Sequence, residues 1–200
     1  MIENKTLNGG FCKLSDITCS FFGHRNTKLS FNLEQKLYQI LEDLIVNHNV
    51  STFLFGSRSN FDYICHKTVT NLKQIYPQIK RIAYTCKHET CILQSELAKW
   101  EKIYSYHTHQ KVSLLGVEKE HPYNTNLKPS KASYIKRNQE MINNSNFCIF
   151  YYDVNYLPPI RKHSKSALTF YQPQSGTSIA YKYAKQKNKK VINLFNYLNI

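Results

Sequence analysis

Residues 146–152 read NFCIFYY, a run that is almost free of polar side chains. A strand of this composition is buried on both faces, as happens in a parallel sheet that helices cover on each side. The segments around it agree. Residues 130–143 predict a helix capped by Ser130, residues 176–187 predict another, and residues 190–195 (KVINLF) predict a final strand.

The first half of the chain repeats the same alternation. Short apolar runs at 17–23 (ITCSFFG), 52–56 (TFLFG) and 80–86 (KRIAYTC) predict strands, and residues 31–46 and 61–76 predict the helices between them. Parallel strands need a crossover helix between them. The sequence therefore predicts an α/β fold, a Rossmann-like open and mostly parallel sheet with helices on both faces.

We predict one domain over residues 1–200, with its core at about 17–195 and a variable insert at about 87–127. In the insert, helical character is expected at 92–104 and a strand at 111–117. Residues 154–175 predict a long polar loop, and its position suggests a lid over a pocket.

Length and composition exclude several classes. A chain of 200 residues with 42% hydrophobic and 14% aromatic residues can bury a core without disulfides or metals. No apolar run approaches the length of a transmembrane helix, and the N-terminus lacks the order of a signal peptide. We expect a cytoplasmic protein without a membrane partner.

The chain is strongly basic. Its 27 Lys and Arg against 13 Asp and Glu give a formal charge of +14, and the only acid from Met141 to Ile200 is Asp153. A field of this sign concentrates anions, whether nucleic acid or a phosphorylated small molecule, although a solvated basic face has the same composition.

The six cysteines are unevenly spaced, and most lie in apolar runs, which is typical of buried free thiols. One cluster has soft ligands, but its C-x-H-x2-C and H-x-H spacings match no usual zinc site. We predict no metal and no cofactor there. The cluster comprises Cys86, His88, Cys91, His107 and His109.

Small and hydroxyl residues follow two of the strands and precede the last helix. In an open α/β sheet, ligands bind beyond the carboxyl ends of the strands. Glycine lets a backbone approach closely, and Ser or Thr beside a helix N-terminus adds donors for an anion. The predicted ligand-binding residues here are Gly23, His24, Arg25, Gly56, Ser57, Arg58, Ser175, Gly176, Thr177 and Ser178.

These motifs carry a family resemblance that covers almost the whole chain. The chain resembles the SLOG superfamily, in its YpsA-like branch, which includes the LOG cytokinin-activating hydrolases, the DprA/Smf proteins and nucleotide-sensing defence modules. The resemblance implies a Rossmann-like fold that binds nucleotide-derived small molecules, often as a homodimer or higher homo-oligomer. The matching motifs are Gly23-His24-Arg25, Gly56 with Phe61-Asp62, Arg137-Asn138 with Met141, and Ser175-Gly176-Thr177.

The resemblance also bears on catalysis. The LOG hydrolases have a loop P-G-G-x-G-T-x-x-E whose Glu assists cleavage of an N-glycosidic bond, and this position is Ala180 here. Alanine can neither stabilise a ribosyl cation nor activate water. If the chain is an enzyme, the nearby carboxylates Asp62 and Asp153 are the candidates to replace the Glu.

The residues that remain fit phosphate binding. Arg137, with Asn138 beside it, can make a bidentate phosphate contact. Tyr151 and Tyr152 can stack on a base, although ordinary packing explains them as well. The leading hypothesis is a non-catalytic sensor or sequestering sponge for an ADP-ribose-type or cyclic-nucleotide signal, with an anti-defence role in phage as one setting.

Two alternatives stay open. One is a LOG-like nucleoside 5'-monophosphate phosphoribohydrolase. The other, ranked third, is DprA-like single-stranded DNA binding, in which Phe170 and Tyr171 interleave with the basic residues of 161–190.

Overall fold

The structure is a computed structural model. It describes residues 16–25, 27, 30–56, 59–86, 89, 91–98, 114–123, 130–163 and 168–197.

Ten strands and four α-helices make up the described part of the chain. The strands are β1 Ile17–Gly23, β2 Val50–Phe55, β3 Lys80–Thr85, β4 Cys91–Leu93, β5 Leu114–Val117, β6 Lys119–Pro122, β7 Phe147–Tyr151, β8 Arg161–Lys162, β9 Phe170–Tyr171 and β10 Lys190–Asn193. The helices are α1 Phe31–Val46, α2 Asn60–Ile75, α3 Lys131–Asn143 and α4 Gly176–Gln186.

Six strands form the central sheet, in the order β10-β7-β1-β2-β3-β6, and every pair in it is parallel. The predicted fold class is confirmed. The chain first moves outward from β1 to β2 and β3, and then returns to the other side of β1 as β7. The order therefore reverses between β1 and β7, which is the switch point where open α/β sheets bind ligands.

The alternation of side chains along the strands builds two apolar layers. On one face, Phe21 and Phe53 pack with the buried leucines of α1 and α2. On the other, Phe22 and Phe150 pack with Met141 of α3 and with the small residues of α4. Both faces of the central strands are thus covered, as their nearly continuous apolar composition predicts.

The insert differs from its prediction. Ile92 and Leu93 belong to β4, which pairs with β5, and a 3-10 turn over Gln94–Glu96 follows, so helix at 92–104 is wrong for its first residues. The Glu96 carboxylate accepts from the Leu93 amide and ends the strand in a turn. β6 was not predicted, and it adds a strand to the sheet beside β3.

The described residues within 154–175 include two short strands, where the sequence predicted a loop. β8 and β9 pair antiparallel, with Arg161 opposite Tyr171 and Lys162 opposite Phe170. The Gln172 side chain donates to the Pro158 carbonyl (2.6 Å) and ties the base of this hairpin.

Four described cysteines are buried free thiols, as predicted: Cys19, Cys65, Cys86 and Cys148. Burial raises the pKa of each, that of Cys148 to about 11. Cys91 is half-buried. Cys12, His88, His107 and His109 lie outside the described residues.

His66 on α2 stands edge-on to Phe55, with ring centroids 5.1 Å apart, and its Nε2 has no hydrogen-bond partner among the described residues. Burial, assisted by the positive charge of Arg81, lowers the pKa of His66 to about 4. The unfolded chain protonates this ring near its ordinary pKa of about 6.5. Between these values the unfolded state binds more protons, so the free energy of unfolding falls as the pH falls.

Replacing His66 by leucine is expected to remove this loss. Between pH 7.5 and 4.5 the native protein should lose roughly 2 kcal/mol more than the His66→Leu variant. Urea unfolding at the two pH values measures the difference. Equal losses would contradict a neutral buried imidazole.

In the part of the chain that the structure describes, no helix has the length and apolar character needed to cross a bilayer.

Candidate functional site

The four α-helices return antiparallel to the strands, so all four begin at the edge of the sheet where the strands end, here called the carboxyl edge. Each has a serine cap whose hydroxyl accepts from the backbone amide three residues on, at 3.0–3.2 Å. Helix N-termini carry partial positive charge and free amides, and both favour an anion. The caps are Ser30, Ser59, Ser130 and Ser175.

His24 follows β1 directly at the switch point and is 4% exposed. The backbone amide of Asp153, just after β7, donates to Nε2 of His24 (3.1 Å). Burial lowers the pKa of His24, against the opposing effects of the Asp153 carbonyl and carboxylate. Its other ring nitrogen, Nδ1, is buried and has no hydrogen-bond partner among the described residues. A neutral imidazole with an unused polar atom therefore lies at the switch point.

Two tyrosines surround this imidazole. The ring of Tyr156 stacks on His24 with centroids 4.0 Å apart, held by a turn in which its amide donates to the Asp153 carbonyl (3.2 Å). The ring of Tyr152 lies 5.9 Å from His24. Its hydroxyl is 3.5 Å from Oγ of Ser178 on α4, which links the end of β7 to the start of that helix.

Gly23 and Asp62 both have structural roles at this edge. A Cβ on Gly23 would lie 2.5 Å from Cβ of Phe61, so the glycine lets α2 pack closely against the end of β1. Asp62 is buried, and its carboxylate accepts from the amide and hydroxyl of Ser59 in a capping box. The motif that sequence analysis assigned to ligand binding also builds the start of α2.

Gly56 and Arg137 meet at the end of β2. A Cβ on Gly56 would lie 2.6 Å from Sδ of Met141 and 3.0 Å from Nε of Arg137. Arg137 therefore reaches from α3 to the carboxyl edge. Its side chain is 3% exposed and does not point into solvent.

The guanidinium of Arg137 forms an ion pair with the carboxylate of Glu89. Nη1 of Arg137 donates to both carboxylate oxygens, at 2.7 and 2.9 Å. Nε and Nη2 lie 3.4 and 3.2 Å from Oδ1 of Asn138, the neighbouring predicted site residue. A phosphate at Nη1 of Arg137 would therefore compete with Glu89.

The start of α4 has open space beside its first residue. Gly176 has no heavy atom within 4 Å of the position that a Cβ would occupy, apart from its own chain neighbours and helix backbone. Thr177 is buried and Ser178 is half-buried. Lys131 at the start of α3 donates to the Gln174 carbonyl (2.9 Å), so the two helix starts are neighbours.

The remaining predicted site residues differ in exposure and in the face of the sheet on which they lie. Arg25 is exposed next to the switch point. Tyr151 packs against Phe61 and Phe195, on the opposite face from α4. Tyr152, the residue after β7, packs in the layer on the α4 side. Ser57 and Arg58 lie outside the described residues.

The candidate carboxylates that the structure describes near this edge have hydrogen-bond partners. Asp153 accepts from the Asn155 amide (2.8 Å). Asp62 caps α2, and Glu89 binds Arg137. Ala180, at the position of the LOG-type Glu, is 2% exposed in the apolar layer between α4 and the sheet. Among the described residues, no three His, Cys, Asp or Glu side chains converge on a metal site.

A cleft of about 390 Å³ lies at the opposite edge and is lined in part by Lys187, Lys189 and Lys190. The helices end there with partial negative charge, which these lysines offset. Lys189 donates to the Asn143 carbonyl in the last turn of α3 (2.9 Å), and Nζ of Lys190 lies over the Phe147 ring. We favour the carboxyl edge because its helix ends attract anions by themselves.

Sequence reasoning missed Glu89 and Tyr156. Glu89 stands 48 positions before Arg137, in a segment without clear periodicity, so no local pattern pairs them. Tyr156 follows an Asp-Val-Asn turn after a strand, and this is a signal that could have found it.

No protein-family model matches the chain, and neither does any curated protein.

Proposed function

We propose that the protein binds a phosphorylated nucleoside-derived small molecule, of the ADP-ribose or cyclic-nucleotide type, as a non-catalytic sensor or sequestering protein. We further propose, from the four sequence motifs, that it is a member of the SLOG superfamily in its YpsA-like branch.

One observation carries the proposal: four serine-capped helix N-termini meet at the carboxyl edge, around a switch point that presents His24. A phosphate would lie at the open start of α4, where Gly176 leaves room for close approach to the amides. The rings of Tyr152 and Tyr156 would contact the base or ribose, and the net charge of +14 would attract the anion.

The absence of turnover is proposed from the carboxylates. Glycosidic cleavage needs one that is free to act on the ribose or on water. Glu89 and Asp62 are engaged in the contacts described above, and Ala180 has no carboxylate. Asp153 holds a turn through one oxygen.

The test incubates the purified protein with ADP-ribose, AMP, cyclic AMP and cyclic GMP. We expect a rise in Tm with one of them and recovery of the unchanged compound by chromatography. Free adenine released from AMP, and lost in Arg137→Ala, would favour the hydrolase instead. No rise in Tm with any of the four, together with no nucleotide in the supernatant of heat-denatured protein, would overturn binding.

Replacing Gly176 by alanine separates stability from binding. Alanine at a helix start with open space should raise the free energy of unfolding by about 0.5 kcal/mol. Its methyl group would enter the space assigned to the phosphate and weaken binding about tenfold, roughly 1.4 kcal/mol. Urea unfolding and ligand titration measure the two effects. Unchanged affinity would move the phosphate away from α4.

The hairpin β8–β9 supports single-stranded nucleic acid as a second candidate. Phe170 is 61% and Tyr171 40% exposed, and they pair with the basic residues Lys162 and Arg161. Exposed aromatic rings beside cations suit stacked bases and phosphates. Binding of an oligothymidine should weaken steeply with added salt and should be lost in Phe170→Ala/Tyr171→Ala.

A further inference from the structure

Arg137 is a buried cation at the carboxyl edge, and its guanidinium is held by the protein itself. Its side chain is 3% exposed and that of Glu89 is 8% exposed, with the closest pair of atoms at 2.7 Å. The face of Tyr134 lies 5.3 Å from the guanidinium carbon. Both charges are thus withdrawn from water at the edge where the strands end.

Glu89 is held in turn by the loop that follows β3. Its Oε2 accepts from the Cys86 amide (2.7 Å), and its own amide donates to the Cys86 carbonyl (2.9 Å). A single carboxylate therefore connects α3 to the loop after β3. The same oxygen, Oε2, accepts from Nη1 of Arg137 and from the Cys86 amide.

The carboxylate holds a position on Arg137 that a phosphate could also take. Both carboxylate oxygens accept from Nη1, and phosphate oxygens are acceptors for the same guanidinium donors. Gly56 lets the Arg137 side chain approach the end of β2 closely, because a Cβ there would lie 3.0 Å from Nε.

Arg81 is the second buried arginine among the described residues. It is an example of an arginine whose role is structural, and its partners can be compared with those of Arg137. Its guanidinium binds Glu118 and also Thr70, Gln94 and the Gly116 carbonyl, and so is enclosed by several elements. Arg137 contacts Glu89, the neighbouring Asn138 and the Cys86 thiol. Arg81 also lies at the start of β3, away from the carboxyl edge.

We infer that Glu89 is an internal competitor that sets the affinity of Arg137 for an anionic ligand. A phosphate that binds Arg137 displaces Glu89 from the guanidinium and from the Cys86 amide. This inference rests on the proposed function, since it requires the ligand's phosphate to reach Arg137.

The test compares the binding of inorganic phosphate and of ADP-ribose, at constant ionic strength, by the native protein, Glu89→Gln and Glu118→Gln. Glutamine keeps the shape of the side chain and removes the competing charge. We expect Glu89→Gln to bind at least tenfold more tightly than the native protein. Glu118→Gln, which removes the carboxylate of the other buried arginine, should bind like the native protein.

The outcomes separate the two proposals. Binding by the native protein and by Glu89→Gln with equal affinity would overturn the role of Glu89 and leave the proposed function standing. A similar gain in both variants would show a general effect of charge and also overturn it. No binding of either compound by any of the three proteins would overturn the role of Glu89, while the assay with the four nucleotides decides the proposed function separately.

A second measurement serves if Glu89→Gln does not fold. Hydrogen exchange at the Cys86 amide of the native protein reports directly on the contact with Glu89. We expect a ligand that raises Tm to accelerate this exchange at least tenfold. Exchange that is unchanged or slower in the ligand-bound protein would overturn the displacement of Glu89.

Discussion

Replacing Arg137 by methionine is expected to lower the free energy of unfolding by about 3–5 kcal/mol, because the Glu89 carboxylate is then buried without its counter-charge. Methionine fills much of the volume of the arginine stem, so the loss reports on charge more than on packing. Urea unfolding at pH 7.5 measures it.

The matched control removes both charges. Arg137→Met/Glu89→Leu leaves no buried ion and should recover most of the loss, since apolar side chains of similar volume often replace a buried ion pair without penalty. A loss below about 1 kcal/mol in the single variant would show that water screens the pair, as at a protein surface.

Replacing Gly23 by valine is expected to cost about 3 kcal/mol, at the upper end of what added core volume usually costs. The new Cβ would lie 2.5 Å from Cβ of Phe61, so the backbone of α2 has to move away from β1. Shortening Phe61 cannot relieve this contact, because its closest atom is the Cβ. Differential scanning calorimetry of the variant gives the loss.

Gly176→Ala is the control for this prediction, because it adds a methyl group at a glycine with open space around it. It should be neutral or slightly stabilising. If Gly23→Val retained the native Tm, the close approach of α2 to β1 would not be a constraint on this position.

The sheet was predictable where burial acts on both faces of a strand. Phe147–Tyr151 lies between the strands β1 and β10, with helices on both faces of the sheet. Its nearly all-apolar composition therefore predicts a buried strand. The cap Ser130 was equally predictable, since it precedes an apolar helical repeat.

The edge of the sheet was not predictable in the same way. Lys119–Pro122 reads KEHP and pairs with β3 alone, so its pattern records little burial. Such a strand tolerates proline, because a residue at the sheet edge need not donate a hydrogen bond to a neighbouring strand. Three residues of β4 are too few to establish a period of two.

For the candidate site, the sequence predicted the position of Arg137 but not its partner. Its position near Gly56 follows from the fold, since α3 begins at the carboxyl edge. Its partner Glu89 does not, because a contact between residues 48 positions apart leaves no trace in the spacing of either. Asp62 is an opposite case. The sequence motif predicted a ligand-binding residue, and in the structure its carboxylate caps the start of α2. The family resemblance stays a prediction.

The buried thiols make the two sides of the sheet separately observable. Cys19 and Cys65 lie in the apolar layer under α1 and α2, and Cys148 lies in the layer under α3 and α4. Burial keeps all three protonated at neutral pH, and alkylating reagents attack only the thiolate. Each sulfur becomes reactive when its own layer opens, so peptide mapping after timed alkylation would show which half of the molecule loosens first.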